Sequence, residues 1–346
     1  MGYEKPAFRL VKTKDAAGHV LCHDLTQIIP GRIKDARFRK GHVVTAEDIP
    51  VLLSMGKENL YVWEAHEGMI HENDAAARLA VLCKNLYMKE TPVKEGKIEL
   101  LAEQDGLFTV DITRLNAVNS ISEIIIATRH GNTAVKAGDT LAGARVIPLV
   151  IPEDYLQKAE AAAGGEPLTR LLPWKLKTAA IVTTGSEVFA GRIEDRFTPV
   201  VIDKLAKFGI TVTARKLTDD SFENIRAAIA ALKETSPDMI LCTGGMSVDP
   251  DDRTPEVIRA VCQNIVCYGA PVLPGSMFML GYFENGTPVM GLPGCVMYDK
   301  STVFDLVLPR IIAGVRLSPA DFAMMGHGGL CLKCAECFYP NCAFGK

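Results

Sequence analysis

The residues of this chain whose types and spacing suit chemistry fall in four polar clusters between Thr178 and Ala313. Thr184-Gly185-Ser186-Glu187 is the first, followed by Asp195; the second is Asp219-Asp220, within KLTDDS. The third, LCTGGMSVDPDDRTPE, holds Gly244, Gly245, Ser247, Asp249, Asp251 and Asp252, and the fourth is MGLPG, ending in Pro293-Gly294. Glycines without a Cβ let a ligand approach main-chain N–H groups closely. The helix-start pattern Thr254-Pro255-Glu256 adds the positive end of a helix dipole, which favours an anion. Carboxylates would repel a phosphate unless a cation lay between them, and hard oxygen ligands beside phosphate suit Mg²⁺. The set therefore predicts a phosphorylated ligand held with a magnesium ion. Any one of these acids alone reads equally well as a solvated loop residue; the combination with the glycines carries the chemistry.

Each cluster follows a short β-type run and precedes a helix-type pattern. Strands are expected at Ala179 to Thr184, Ile210 to Leu217, Asp238 to Thr243 and Pro288 to Gly291. Helices are expected at Phe197 to Phe208, from a Ser221 cap to about Glu234, from a Thr254 cap onward, and at Val296 to Ala313 with a kink at Pro309. Strands alternating with helices at this spacing predict a doubly wound parallel sheet, an α/β fold. In such a sheet the loops after the strands share one edge, so clusters spread along the sequence would meet there.

Ahead of this domain the pattern is smaller and mixed, an α+β, β-rich part. Over 1–65 a strand His19 to Leu25, a helix Ala46 to Met55 capped by Thr45 and ended at Gly56, and a strand Asn59 to Glu64 form a scaffold. Over 66–160, His71 and Glu72 precede a helix capped by Asn73 or Asp74, and either faces a ligand or serves a solvated cap. Asp105-Gly106 between strand-like runs predicts a hairpin. Further strands are expected at Glu123 to Ala127 and Ala144 to Ile151, with His130 a turn residue. The Ala-, Gly- and Pro-rich 161–173 reads as a linker to a domain over 174–316.

The totals exclude several classes. A composition of 48% apolar and 23% charged residues argues for a folded chain and against disorder. A net charge of −3 supplies no field to recruit nucleic acid or an anionic membrane. No apolar run has membrane-spanning length, and MGYEKPAFRL is no secretory signal, so the expected location is the cytoplasm. G-x-x-x-x-G-K-[ST] and post-strand G-x-G-x-x-G are both missing, which disfavours those nucleotide sites.

Taken in order, TTGSE (183–187), Asp195 ahead of Thr198-Pro199, TDD (218–220), TGGMSV (243–248), Asp252-Arg253-Thr254 and GLPG (291–294) resemble the molybdopterin-binding domain. That domain occurs in molybdopterin adenylyltransferases and molybdopterin molybdotransferases. The resemblance covers about 176–313, and Asp15 to Glu64 more weakly resembles part of a molybdotransferase scaffold. It implies a role in molybdenum cofactor biosynthesis, binding molybdopterin or its adenylylated form and promoting Mg²⁺-dependent molybdate insertion. It implies Asp219, Asp252 and Glu187 as catalytic acids. Thr184, Gly185, Ser186, Asp195, Asp220, Gly244, Gly245, Ser247, Asp249, Pro274, Gly275, Pro293 and Gly294 would bind the pterin. It also implies a homo-oligomer and a molybdoenzyme or pathway protein as partner. A non-catalytic molybdopterin carrier, and an adenylyltransferase or nucleotide pyrophosphatase on the same fold, are the other readings. Where the molybdotransferase pattern has lysines flanking Pro274-Gly275, this chain has Leu273 and Ser276, and Cys295-Val296 replace Asn-Pro. No Asp-Gly-Tyr-Ala stretch occurs. Molybdate needs cationic or N–H donors, so these departures weigh on insertion more than on pterin binding.

Of ten cysteines, six are isolated, and singletons such as Cys22, Cys83 and Cys242 read as packing residues. The other four close the tail over 317–346: Cys331, Cys334, Cys337 and Cys342, a C-x₂-C-x₂-C-x₄-C run. Four thiolates within this short span suit zinc or a [4Fe–4S] cluster; disulfide chemistry and free thiols are the alternatives.

Overall fold

In the computed structural model residues 8–29, 33–63 and 68–346 are described. The expected strand end Glu64 lies outside them, as do residues 1–7 of the amino-terminal segment. The chain forms two compact units: 1–103 with 110–129 and 137–170, and 171–346 with 104–109 and 130–136. No helix among the described residues is long and apolar enough to cross a membrane.

The second unit is built on six strands: β1 (Thr178–Thr184), β2 (Thr211–Thr218), β3 (Met239–Thr243), β4 (Asn264–Tyr268), β5 (Met279–Tyr282) and β6 (Pro288–Leu292). Their order is β2-β1-β3-β6-β5-β4. The first four of that order run parallel, while β5 and β4 add antiparallel. The fold is thus the expected doubly wound α/β sheet, extended by two strands that sequence patterning did not separate from loop.

Alternation within β1 shows why helices cover both faces. Ala179 and Ile181 join Leu241, Met290 and Leu292 in one core, under α1 (Phe197–Ala206) and α4 (Val303–Ile312). Ala180 and Val182 join Ile240 and Cys242 in a second core, under α2 (Phe222–Lys233) and α3 (Thr254–Val261). Successive strand residues point to opposite faces, so a strand apolar throughout must be covered twice.

Two helix expectations change. The long helix from Val296 is instead a 3₁₀ turn, Gly294–Met297, followed by a fresh start at Thr302, whose hydroxyl and Asp305 form a capping box. Thr254 does not cap α3; it is the helix's first residue, and its hydroxyl lies 3.3 Å from that of Thr184.

In the first unit, the strands Phe8–Lys12 and Asn59–Trp63 pair antiparallel, and Leu25–Ile29 pairs with Ile33–Phe38. A four-stranded sheet follows the order Met88–Glu90, Lys97–Ala102, Thr140–Val146, Ile124–Thr128. The strand expected over His19 to Leu25 is reduced to bridges at Val20 and Leu21. The helix expected from Ala46 spans Asp48–Ser54, because Asp48 turns back to the Thr45 N–H and to His42. Gly56 does end it, in a left-handed conformation.

Asp105-Gly106 is not a hairpin. Ala102 exchanges backbone bonds with Gly138 and Asp139, while Gly106–Val110 pairs with Thr133–Val135 in a different sheet, alongside Thr169–Pro173. A Cβ on Gly106 would stand 2.5 Å from the Leu172 carbonyl, so close strand approach explains this glycine. Helices Ile112–Asn119, capped by Asp111, and Glu153–Ala163 interrupt the expected β-rich module. The latter helix and Thr169–Pro173 also occupy most of the 161–173 stretch read as linker, since alanines favour helix.

His71 itself caps the helix Glu72–Cys83, in place of Asn73 or Asp74. Its Nδ1 accepts from the Asn73 N–H and its Nε2 lies 2.6 Å from the Cys22 carbonyl, so the proton sits on Nε2. Burial pushes its pKa down, against the opposing bond to Cys22. Cys22, Cys83 and Cys242 are buried, and burial pushes the first two thiols up to about 11 and about 12, the behaviour of inert packing residues.

Candidate functional site

Strand register brings the polar clusters together. Thr184 pairs with Thr218, Thr183 with Thr243, and Thr243 with Leu292. The residues just beyond them, Gly185, Asp219, Gly244 and Pro293, therefore leave the sheet side by side at its carboxyl edge. Direct bonds join the loops: Asp220 accepts from the Ser186 N–H at 2.7 Å and from its hydroxyl at 2.9 Å.

Gly244 and Gly245 make the tightest turn of this edge, with φ of +88° and +56°. A Cβ on Gly244 would collide with the Thr184 carbonyl, and one on Gly245 would stand 2.8 Å from the Thr254 hydroxyl. Only glycine combines this backbone with this approach. Gly245 O accepts from the Thr254 N–H, tying the turn to the first residue of α3.

Two neighbouring cavities open on this edge. One, of about 440 Å³, is lined by Gly244, Gly245, Ser247, Asp252, Gly275, Pro293 and Gly294, with Phe197, Met246, Ser276, Met277, Leu292 and Cys295. The other, of about 760 Å³, is lined by Thr184, Asp195, Gly244, Phe197, Arg196, Ile193 and Tyr298 among others. Phe197 and Gly244 belong to both.

Gly185, Ser186, Glu187, Asp219, Asp220, Asp249 and Pro274 line neither cavity. Asp219 is half-buried and bound to its own loop, accepting from the Ser221 N–H and hydroxyl and from Asn224. Those bonds, the Ser221 hydroxyl first, hold its pKa below the usual carboxylate range. Asp219 thus organises the start of α2. Glu187 is exposed on the short helix Ser186–Phe189, and Asp249 turns back to the Asp251 N–H. Asp195, although in the second cavity, spends one oxygen on the Phe197 and Thr198 N–H groups at the start of α1. Asp252 is differently placed. One oxygen accepts from the Ser247 N–H at 2.8 Å, and the residue stands on the cavity wall with the Gly-Gly turn.

Sequence reading missed Phe197, Met246, Arg196 and Tyr298 as wall residues. Arg196 had a signal, a cation directly before a helix start; the apolar wall residues had none, being indistinguishable from core in a linear pattern.

Among the described residues no three His, Cys, Asp or Glu side chains are gathered so as to hold an ion. A magnesium ion here fits only as a shared one, with Asp252 and ligand oxygens completing its shell, which is its usual manner of binding. The four tail cysteines are free thiols.

A family model described as "Probable molybdopterin binding domain" matches residues 180–313. That match covers less than half of the chain. A second model, a domain of unknown function, matches residues 10–64. A CinA-like protein of Mycobacterium tuberculosis is 34% identical over 84 residues, 24% of this chain and 20% of the relative. That of Mycobacterium leprae is 33% identical over the same length. The match thus spans about a fifth of the curated relatives it meets. Among solved structures, the molybdopterin biosynthesis enzyme MoaB of Thermus thermophilus aligns at 23% identity and a TM-score of 0.36. The alignment covers 42% of this chain and 98% of that one. The tungsten cofactor synthesizing protein MoaB of Pyrococcus furiosus aligns at 17% identity and a TM-score of 0.34, covering 41% and 99%.

Proposed function

We propose that this protein acts in molybdenum cofactor biosynthesis, binding molybdopterin or its adenylylated form across the two cavities and promoting Mg²⁺-dependent molybdate insertion. The observation that carries this reading is the meeting of the Gly244-Gly245 turn, Asp252 and Pro293-Gly294 on one cavity wall, inside the segment matched by the molybdopterin-binding family. Backbone N–H groups of the Gly-Gly turn and the first turn of α3 receive the phosphate, with the exposed Arg196 as nearby cation. Phe197 and Met246 offer apolar surface to the pterin ring. Magnesium, shared between Asp252 and phosphate oxygens, would neutralise charge developing as the phosphoanhydride opens.

One observation favours a second reading, a molybdopterin carrier without turnover. Leu273 takes a position where the resemblance calls for lysine, and its backbone is bonded on both sides to the tail, donating to Gly329 O and accepting from the Cys331 N–H. That loop therefore offers molybdate no cation.

The test incubates purified protein with adenylylated molybdopterin, Mg²⁺ and molybdate. Release of AMP with metal-loaded pterin supports insertion; retention of intact ligand supports the carrier. ATP-dependent adenylylation of free molybdopterin would instead point to an adenylyltransferase, and hydrolysis of unrelated dinucleotides to a pyrophosphatase. Asp252→Asn is expected to abolish AMP release while leaving the fold intact by circular dichroism. Undiminished release from that variant would remove Asp252 from the site.

A further inference from the structure

The tail supplies an observation that the pterin site does not use. Cys331, Cys334, Cys337 and Cys342 all line one cavity of about 230 Å³. The thiols are not at ion-holding distances, so the common cavity is the observation rather than a finished ligand set. Its opposite wall is Tyr298, Asp299, Lys300 and Ser301. Cys331 and Cys342 are half-buried and pack against the sheet core, whereas Cys334 and Cys337 are exposed. Two ligands are thus anchored against the core and two lie on the exposed side of the cavity.

The tail is bound to the unit at several points. Leu330 bridges Leu273 in parallel, flanked by the two Leu273 backbone bonds of 2.8 Å. The Tyr339 hydroxyl donates to the Asp305 carbonyl at 2.9 Å, and Lys333 pairs with Asp299 at 3.2 Å. Cys337 Sγ stands 3.3 Å from the Ser301 hydroxyl. Leu273 lies two residues before Gly275 of the pterin cavity, and Tyr298 to Ser301 directly follow the Gly294–Met297 turn. The cysteine cavity therefore joins the stems of two pterin-cavity loops.

We infer that the four cysteines bind one tetrathiolate metal centre, a zinc ion or an iron–sulfur cluster, and that this centre braces the 273–276 and 294–301 loops. Zinc binding exchanges four S–H for four Zn–S bonds, with the protons released to water. The resulting negative centre faces Lys300 and Lys333. A [4Fe–4S]²⁺ cluster takes two ferrous ions, two ferric ions and four sulfides from solution and releases the four thiol protons to water, so no electron is gained or lost; the cavity far exceeds the ~30 Å³ share of one water molecule, so a multi-atom group has room. The metal site stands without the pterin reading; only the function of the brace rests on it.

The test uses the full chain, purified without oxygen and reconstituted either with zinc or with equal ferrous and ferric iron plus sulfide. Expected is about one zinc per chain, or iron with matching labile sulfide and a thiolate-to-iron absorption band, in line with four-thiolate sites. A Cys334→Ser/Cys337→Ser double variant is expected to lose the metal, while Cys262→Ser, outside the tail, keeps it. Failure of the wild-type chain to hold either metal, two disulfides in its place, or full metal in the double variant would overturn the site. Bracing is read by hydrogen exchange: amides of 273–276 and 294–301 are expected to exchange about tenfold more slowly with metal bound. Equal exchange in loaded and stripped protein would overturn the brace. Because neither readout needs a pterin, failure of pterin binding would count against the proposed function alone.

Discussion

At the scale of single residues, side-chain type was legible and side-chain partner was not. Gly244 and Gly245 stand out in the sequence as consecutive glycines after a strand, and the geometry gives both a reason. Gly245→Ala would force a left-handed φ on a residue with a Cβ and press it on Thr254. It is expected to lower the stability of the site-bearing unit by about 1–3 kcal/mol, the usual scale of such strain. A denaturant midpoint indistinguishable from wild type would show that the turn relaxes. Asp219 teaches the opposite lesson. It is as acidic and as loop-borne as Asp252, yet Ser221 and Asn224 engage it while Asp252 reaches a cavity wall. Linear spacing carries no information on that choice, because the competing donors lie within a few residues of both acids.

At the scale of elements, the parallel strands were legible because each is an apolar run of strand length bounded by turn residues. The antiparallel pair β4 and β5 was not, since NIVCY and MLGY are short and lack alternation. The interruption between the Gly294–Met297 turn and α4 escaped notice because an apolar run continues through it. A buried ion pair fixes the start of α4 against α1: Lys204 Nζ reaches Asp305 at 2.6 Å and the Lys300 carbonyl at 3.0 Å. Lys204 is 6% exposed and Asp305 half-buried, so removing the lysine leaves a partly desolvated carboxylate with only its Thr302 donors. Lys204→Met is expected to cost roughly 3–5 kcal/mol, the range for breaking one half of a buried pair. A loss below about 1 kcal/mol, the value of an exposed pair, would mean water reaches Asp305.

At the scale of the molecule, composition pointed to a folded chain and strand–helix alternation to its α/β class, while its division into units was hidden by the false hairpin at Asp105-Gly106. The two tryptophans report on the units separately, Trp63 in the first and Trp174 in the second. Trp63 stands 5.6 Å from the ring of His71. Burial lowers the pKa of His71, and of His23, below the ordinary 6.5. As pH falls through about 6.5 the unfolded chain takes up protons that the folded unit does not, so stability drops with acidification until the folded pKa is reached. Melting followed by Trp63, in a Trp174→Phe background, should therefore move to lower temperature between about pH 7.5 and about pH 5.5. In His71→Asn, which keeps a capping oxygen, the shift should shrink. A pH-independent Trp63 transition would contradict the buried, neutral histidine.

The interleaving of the units bears on how the chain is made. Residues 104–109 and 130–136 leave the ribosome before most of the unit they complete, and with segments of the other unit on either side. Synthesis runs from the amino terminus at about 5–20 residues per second, so these two short strands wait for their next sheet partner, Thr169–Pro173, and then for the body that follows it. A pause or a rare-codon cluster just after residue 136 would lengthen that wait, making yield in the cell sensitive to translation speed at a place where no active-site residue is encoded.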